Sequence, residues 1–190
     1  NHDISELWDI DMKGRHLLAV PEQGKHCMYV SSPQGLANYK ILGLEAKQKY
    51  FNSGVLVMDL EKWRSDRVTS KLISYIKQNR EDVRWCDQDA LNAILAHQWG
   101  ELDYRWNVLS HLFNGFPWDA GPVKDRAVYR RLMRHPFIVH FNTSSKPWHA
   151  RCVHPKIHLF FHYLDMTEWK GWRPEHFYAY KISNFFKSAI

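Results

Sequence analysis

Three short apolar runs constrain this chain more than any other feature: LLAV at residues 17–20, VLVM at 55–58 and FIVHF at 137–141. Each is short, continuous and bounded by breakers such as Gly54, Asp59, Pro136 or Asn142, so each reads as a fully buried strand. Segments of helical period lie between them. Residues 68–78 carry apolar side chains at 68, 72, 73 and 76. Residues 87–95 place Ala90, Leu91, Ile94 and Leu95 on one face, with Asp87 as the expected cap. Residues 155–163 form an aromatic helical stretch. Buried strands separated by helices predict an α/β architecture. In such sheets ligands bind beyond the carboxyl ends of strands, so the polar residues around VLVM and FIVHF are where a site is expected.

Composition narrows the class. The chain has 190 residues, 26 Lys+Arg against 20 Asp+Glu and a net charge of +6. With 45% hydrophobic and 24% charged residues it is neither disordered, collagenous nor a coiled coil. No apolar run approaches the roughly 18 residues of a spanning helix. Three cysteines argue against a disulfide framework and for a reducing compartment. Residues 1–11 read as a helical turn capped by Asp3 or Ser5, residues 21–34 as a loop, and 36–49 as mixed. Residues 100–122 are irregular and rich in Trp, Asn and Gly. So long a stretch is expected to contain a short strand or to build a site.

Three constellations carry chemistry. In the stretch from FIVHF onward, His140 is followed by Thr143, Ser144, Ser145 and Lys146. A neutral imidazole can complete a divalent metal site, and hydroxyls, backbone N–H groups and a Lys can hold a diphosphate. The plainer alternative is a core histidine and a solvated turn. In WCDQDALN, residues 85–92, Asp87 and Asp89 lie at a helix start, where carboxylates serve as caps. The functional alternative has Asp87 binding sugar hydroxyls and Gln88 facing a reacting centre. In YFNSGVLVMDLEKWR, residues 50–64, an Asn-Ser-Gly turn precedes the apolar run and allows close backbone approach to a ligand.

Taken in order and spacing, YFNSGVLVMDLEKWR, DQDALN and IVHFNTSSKPWH resemble the retaining glycosyltransferases of family 8, over about 165 residues. ISELWDIDM resembles the segment that follows the family's metal-binding Asp-x-Asp motif. The resemblance implies a GT-A fold and a UDP-sugar donor with Mn²⁺ or Mg²⁺. It implies His140 as a metal ligand, and Lys146 and Thr143 at the diphosphate. It implies Asn52 and Ser53 at the sugar nucleotide, Asp87 on donor hydroxyls and Gln88 near the anomeric carbon. Thr143 and Ser144 stand where the family often has a glycine. The expected reaction moves a hexose to a glycan or lipid-linked acceptor, as in lipopolysaccharide biosynthesis, in the cytoplasm or at the inner face of its membrane. Residues 1–165 are then the C-terminal part of a GT-A domain lacking its N-terminal nucleotide-binding strands, and 166–190 a basic aromatic tail. Asp9-Ile10-Asp11 follows a helical turn rather than an apolar strand, so it reads as a decoy. The true Asp-x-Asp is expected before Asn1, and this chain alone is expected to transfer sugar poorly.

Other readings compete. The chain could be a catalytically inactive sugar- or nucleotide-binding remnant. His149, Cys152, His154, His158 and His162 suggest a structural zinc site. Arg126, Arg130, Arg131 and Arg134 suggest nucleic acid or a solvated helix face, and the expectation is no nucleic acid. In the tail, Trp169, Trp172, Phe177, Tyr178, Tyr180, Phe185 and Phe186 stand beside Lys170, Arg173, Lys181 and Lys187. That mixture suits peripheral contact with an anionic membrane, or packing on the domain.

Overall fold

The computed structural model describes residues 2–24, 26–113 and 125–177. They divide into two compact units, residues 2–108 with 125–138, and residues 109–113 with 139–177.

The first unit is built on a three-stranded sheet of order β2-β1-β3. β1 (Leu17–Pro21) is central and buried along its whole length. Its side chains alternate between two cores, as a period of two requires. Leu17 and Ala19 join Phe51, Val68, Leu91 and Leu95 on one face. Leu18 and Val20 join Leu7, Leu102 and Trp106 on the other. Each fully buried Leu or Val contributes about 1.5–3 kcal/mol relative to exposure. This double burial is why LLAV shows no polar alternation.

β2 (Phe51–Met58) runs antiparallel to β1, and β3 (Trp99–Glu101) runs parallel to it. β2 starts four residues earlier than the apolar run suggests, so Asn52, Ser53 and Gly54 lie inside the strand. VLVM is also not fully buried: Val55, Leu56 and Val57 are half-buried and Met58 is exposed. β2 pairs with β1 alone and is an edge strand of this sheet.

α1 (Leu60–Ser65) is capped by Asp59, whose side chain accepts from Lys62 N–H. α2 (Val68–Gln78) has the expected bounds. α3 (Asp87–Ile94) packs Ala90 and Leu91 inward. Its cap position belongs to Cys86, and Asp87 is the first helical residue, so the expected Asp87 cap is not formed. A 3-10 turn at Ile4–Leu7 is capped by Asp3. Asp9 and Asp11 follow it in a turn, both exposed, with Asp11 accepting from Lys13 N–H. The pair therefore does not end a strand.

Residues 100–113 yield the end of β3, a 3-10 turn at Tyr104–Asn107, β4 (Val108–Leu109) and α4 (Ser110–Phe113). β4 pairs with β5 (Val139–His140). FIVHF is thus a two-residue, half-buried strand rather than a five-residue buried one. A two-stranded ladder covers neither face completely. α5 (Arg126–Arg134) carries the four arginines, and all are exposed.

In the second unit, α6 (Ile157–Leu164) packs Ile157 and Phe161 against Cys152 and Phe177. Arg173 pairs with Asp165 at 2.6 Å and stacks 4.4 Å over the Phe161 ring. Phe177 therefore packs on the unit, whereas Trp169 and Trp172 remain exposed. Tyr178, Tyr180, Lys181, Phe185, Phe186 and Lys187 lie outside the described residues. Cys27, Cys86 and Cys152 are free thiols. Among the described residues no helix is long and apolar enough to cross a membrane.

Candidate functional site

The site in the first unit begins with a break in register. Ala19 opposes Leu56, but Val20 opposes Asn52, so Ser53, Gly54 and Val55 have no partners on β1. Such a bulge bends the strand and re-aims side chains. Asn52 Oδ1 stabilises the bend by accepting from Gly54 N–H at 2.9 Å.

Gln88 closes onto this bulge. Its Oε1 accepts from Ser53 N–H at 3.0 Å and lies 3.4 Å from Ser53 Oγ. A backbone N–H can only donate, so the oxygen end of the amide faces the strand. The Gln88 side chain also reaches the Tyr50 hydroxyl, favouring its ionised form. Burial and the neighbouring Asp89 outweigh that effect and hold the Tyr50 phenol far above its ordinary range. Asp87, one residue earlier, is exposed, and its side chain makes no hydrogen bond among the described residues.

Behind these groups lies a buried polar network. Asp89 is fully buried: one oxygen accepts from Tyr50 O–H at 2.6 Å, the other from the Arg84 and Trp85 N–H groups at 2.6 and 2.8 Å. Asp89 thereby pins the segment leading into α3. Cys86 takes φ 48° and ψ −113° there, a conformation that costs a non-glycine residue about 1–3 kcal/mol. Asn92 spans back to β2, accepting from Phe51 N–H and donating to Phe51 O. Asn52 is only 7% exposed. It donates to Glu22 Oε2 at 3.0 Å and accepts from Asn107 Nδ2 at 2.8 Å. Its side chain therefore shapes the bulge, and the backbone of Ser53 and Gly54 is what the bulge displays.

The second unit contains the other candidates. Buried Ser110 accounts for the local geometry: its Oγ donates to His140 O at 3.0 Å and its N–H donates to Asn142 Oδ1 at 3.0 Å. His140 is half-buried. Burial, aided by the Lys146 charge, lowers its pKa and favours the neutral imidazole that a metal requires. Lys146 Nζ donates to Phe141 O at 2.6 Å, which curls the loop and uses one of three ammonium donors. Thr143 Oγ1 donates to Ser145 O at 3.2 Å. Trp148 is half exposed and packs near Phe160.

No group of three His, Cys, Asp or Glu side chains among the described residues could hold a metal ion. The described residues thus do not fit a divalent cation by themselves, and His140 is a single donor. The same finding removes the structural zinc alternative: His149, Cys152, His154, His158 and His162 do not converge, and Cys152 and His154 are buried in packing.

The structure brings Asn52, Ser53, Gln88 and Asp87 together in one unit, and His140, Thr143 and Lys146 in the other. Sequence reasoning took Asp89 only as a helix cap and missed Glu22, Tyr50, Asn92, Asn107 and Ser110. Polar residues beside apolar runs are the only signal they leave, and their partners lie as many as 84 positions away, as between Gln23 and Asn107.

Residues 1–152 match the family model described as Glycosyl transferase family 8. General stress protein A of Bacillus subtilis (strain 168) is 35% identical over 169 residues, covering 88% of this chain and 55% of the relative. Lipopolysaccharide 1,2-glucosyltransferase of Escherichia coli (strain K12) is 26% identical over 179 residues, covering 90% and 48%. The chain thus spans about half the length of these relatives. Among solved structures, galactosyltransferase LgtC with donor and acceptor sugar analogs superposes with a TM-score of 0.67 at 21% identity, covering 95% of this chain and 61% of LgtC. An active-site mutant of LgtC, glutamine to glutamate, gives a TM-score of 0.64 at 20% identity, covering 92% and 59%. These likenesses show the GT-A glycosyltransferase fold.

Proposed function

We propose, from the premise that this chain belongs to glycosyl transferase family 8, that it is the part of a hexosyltransferase that receives the donor sugar. The donor is a UDP-hexose, the acceptor a glycan or lipid-linked glycan, and the anomeric configuration is retained. The observation that carries this reading is the Gln88 amide, held by Ser53 N–H at 3.0 Å beside the exposed Asp87. The similar LgtC structure solved as an active-site glutamine mutant supports it.

Each residue does work its chemistry allows. Asp87 accepts from sugar hydroxyls. Ser53 and Gly54 bring backbone close to the donor. Gln88 lines the reacting centre as a fixed dipole. An amide carries no ionisable proton and is a poor nucleophile, and this one has its oxygen engaged by Ser53. Retention then proceeds by attack of the acceptor hydroxyl on the face that the diphosphate leaves, with no sugar attached to Gln88. Lys146 and Thr143 bind diphosphate oxygens, the Lys adding electrostatic stabilisation to the departing charge. Any Mn²⁺ or Mg²⁺ beside His140 takes its remaining ligands from outside the described residues. The reaction is placed in the cytoplasm, at the inner membrane face where the acceptor is lipid-linked.

The test is UDP release from a panel of UDP-hexoses, with product anomeric configuration read by NMR. Gln88→Ala should keep appreciable activity in the whole enzyme. A sugar trapped covalently on Gln88 refutes front-face attack, and no turnover of any UDP-hexose refutes the donor class.

A further inference from the structure

A cavity of about 340 Å³ opens at the other end of β1, lined by Arg15, Glu45, Gln48, Ala96, His97 and Trp99. Trp99 opposes Leu17, whereas the Asn52 end of the bulge opposes Val20. Three residues of strand separate the two positions, about 10 Å along β1. The cavity volume falls in the lower range of small-ligand sites, about 300–1,000 Å³.

Its walls are held in place. Trp99 is half-buried, its ring packed against Phe51 with centroids 4.9 Å apart. Arg15 Nη1 donates to His97 O at 2.8 Å, and Gln48 Nε2 donates to Ala96 O at 2.5 Å. Those bonds fix two polar side chains without using all their capacity. Gln48 Oε1 is buried and has no hydrogen-bond partner among the described residues. The side chains of Glu45 and His97 have no hydrogen-bond partners among the described residues.

The chemistry selects a ligand class. The lining carries one guanidinium and one carboxylate, which favours neither anions nor cations. It combines an indole with planar polar groups that donate and accept. A pyranose matches this: its C–H face suits an aromatic ring, and each hydroxyl both donates and accepts. We infer that this cavity is an accessory sugar site, binding a neutral hexose unit through Gln48, Arg15, Glu45 and Trp99, separate from the Gln88 site. Its use for a stretch of glycan rests on the glycosyltransferase reading, whereas sugar binding itself does not.

The experiment is titration calorimetry with saturation-transfer NMR on the full chain, using methyl glucoside, methyl galactoside, maltose and lactose as probes. Wild type should bind at least one probe saturably. Gln48→Ala and Arg15→Ala should each weaken that binding at least tenfold, and Gln88→Ala should leave it unchanged. The inference is overturned by no saturable binding of any probe, by binding that survives both Gln48→Ala and Arg15→Ala, or by binding lost in Gln88→Ala. UDP-hexose turnover, measured on the same preparations, reports separately on the proposed reaction.

Discussion

The Tyr50 hydroxyl donates to the buried Asp89 carboxylate at 2.6 Å, and the same carboxylate holds the Arg84 and Trp85 N–H groups. Three donors converge on two oxygens. An amide in this position has one oxygen and an NH₂ group, so at least one donor loses its acceptor. Asp89→Asn should therefore cost about 1–3 kcal/mol of stability. It should also loosen the α3 entry that presents Gln88, lowering turnover more than donor affinity. Thermal melts and a kcat-against-KM comparison check both effects; an unchanged melt would show that the network is not cooperative.

Cys86 carries the backbone strain beside Asp87 and Gln88, with φ 48°. Glycine adopts such a conformation without a Cβ penalty. Cys86→Gly should hold or raise the denaturation midpoint, whereas Cys86→Val should lower stability by about 1–2 kcal/mol. Equal midpoints for the two variants would contradict the strain.

Lys146 binds Phe141 O and is the proposed diphosphate contact. Lys146→Met removes both roles and should lower turnover about 100-fold in the whole enzyme, on the scale of losing one donor to developing negative charge. Lys146→Arg keeps the charge and should retain a substantial part of the activity. Steady-state kinetics decide, and equal losses in the two variants would argue against an electrostatic role.

His154 gives a pH signature. It sits between the Phe113 and Phe141 rings, its Nδ1 accepts from Lys156 N–H, and Nε2 has no partner among the described residues. Burial, with the Lys156 charge, lowers its pKa below the ordinary 6.5. Below that value the unfolded chain binds more protons than the folded one, so stability rises with pH. The contribution is complete above about 6.5 and is lost as pH falls through the folded value. Urea midpoints at pH 7.5 and 5.5 should fall more for wild type than for His154→Gln. His140 shifts in the same direction and leaves a residual slope in the variant.

The elements legible in the sequence are those whose cause is local. α2 has the bounds its period implies, and LLAV is the central strand because both its faces are covered. FIVHF misled because an apolar run reports hydrophobicity, not ladder length; Phe137 and Ile138 serve the core beside Trp106 instead. Asp87 misled as a cap because Asp89 takes over the N–H groups ahead of the helix. The candidate residues were visible as motifs, but their geometry was not. Asn52 looks like a ligand contact in sequence and is walled in by Glu22 and Asn107, 30 and 55 positions away.

The register shift in β2 separates two tasks of one strand. Pairing holds at Phe51 and Asn52, lapses for three residues, and resumes at Leu56. Changes at residues 53 and 54 can remodel the contour that the bulge displays without passing a slip into the ladder on either side. On the proposed reading, sugar preference and strand pairing are then set by separate stretches of one strand: the unpaired Ser53 and Gly54 on one side, the paired residues that carry the ladder on the other.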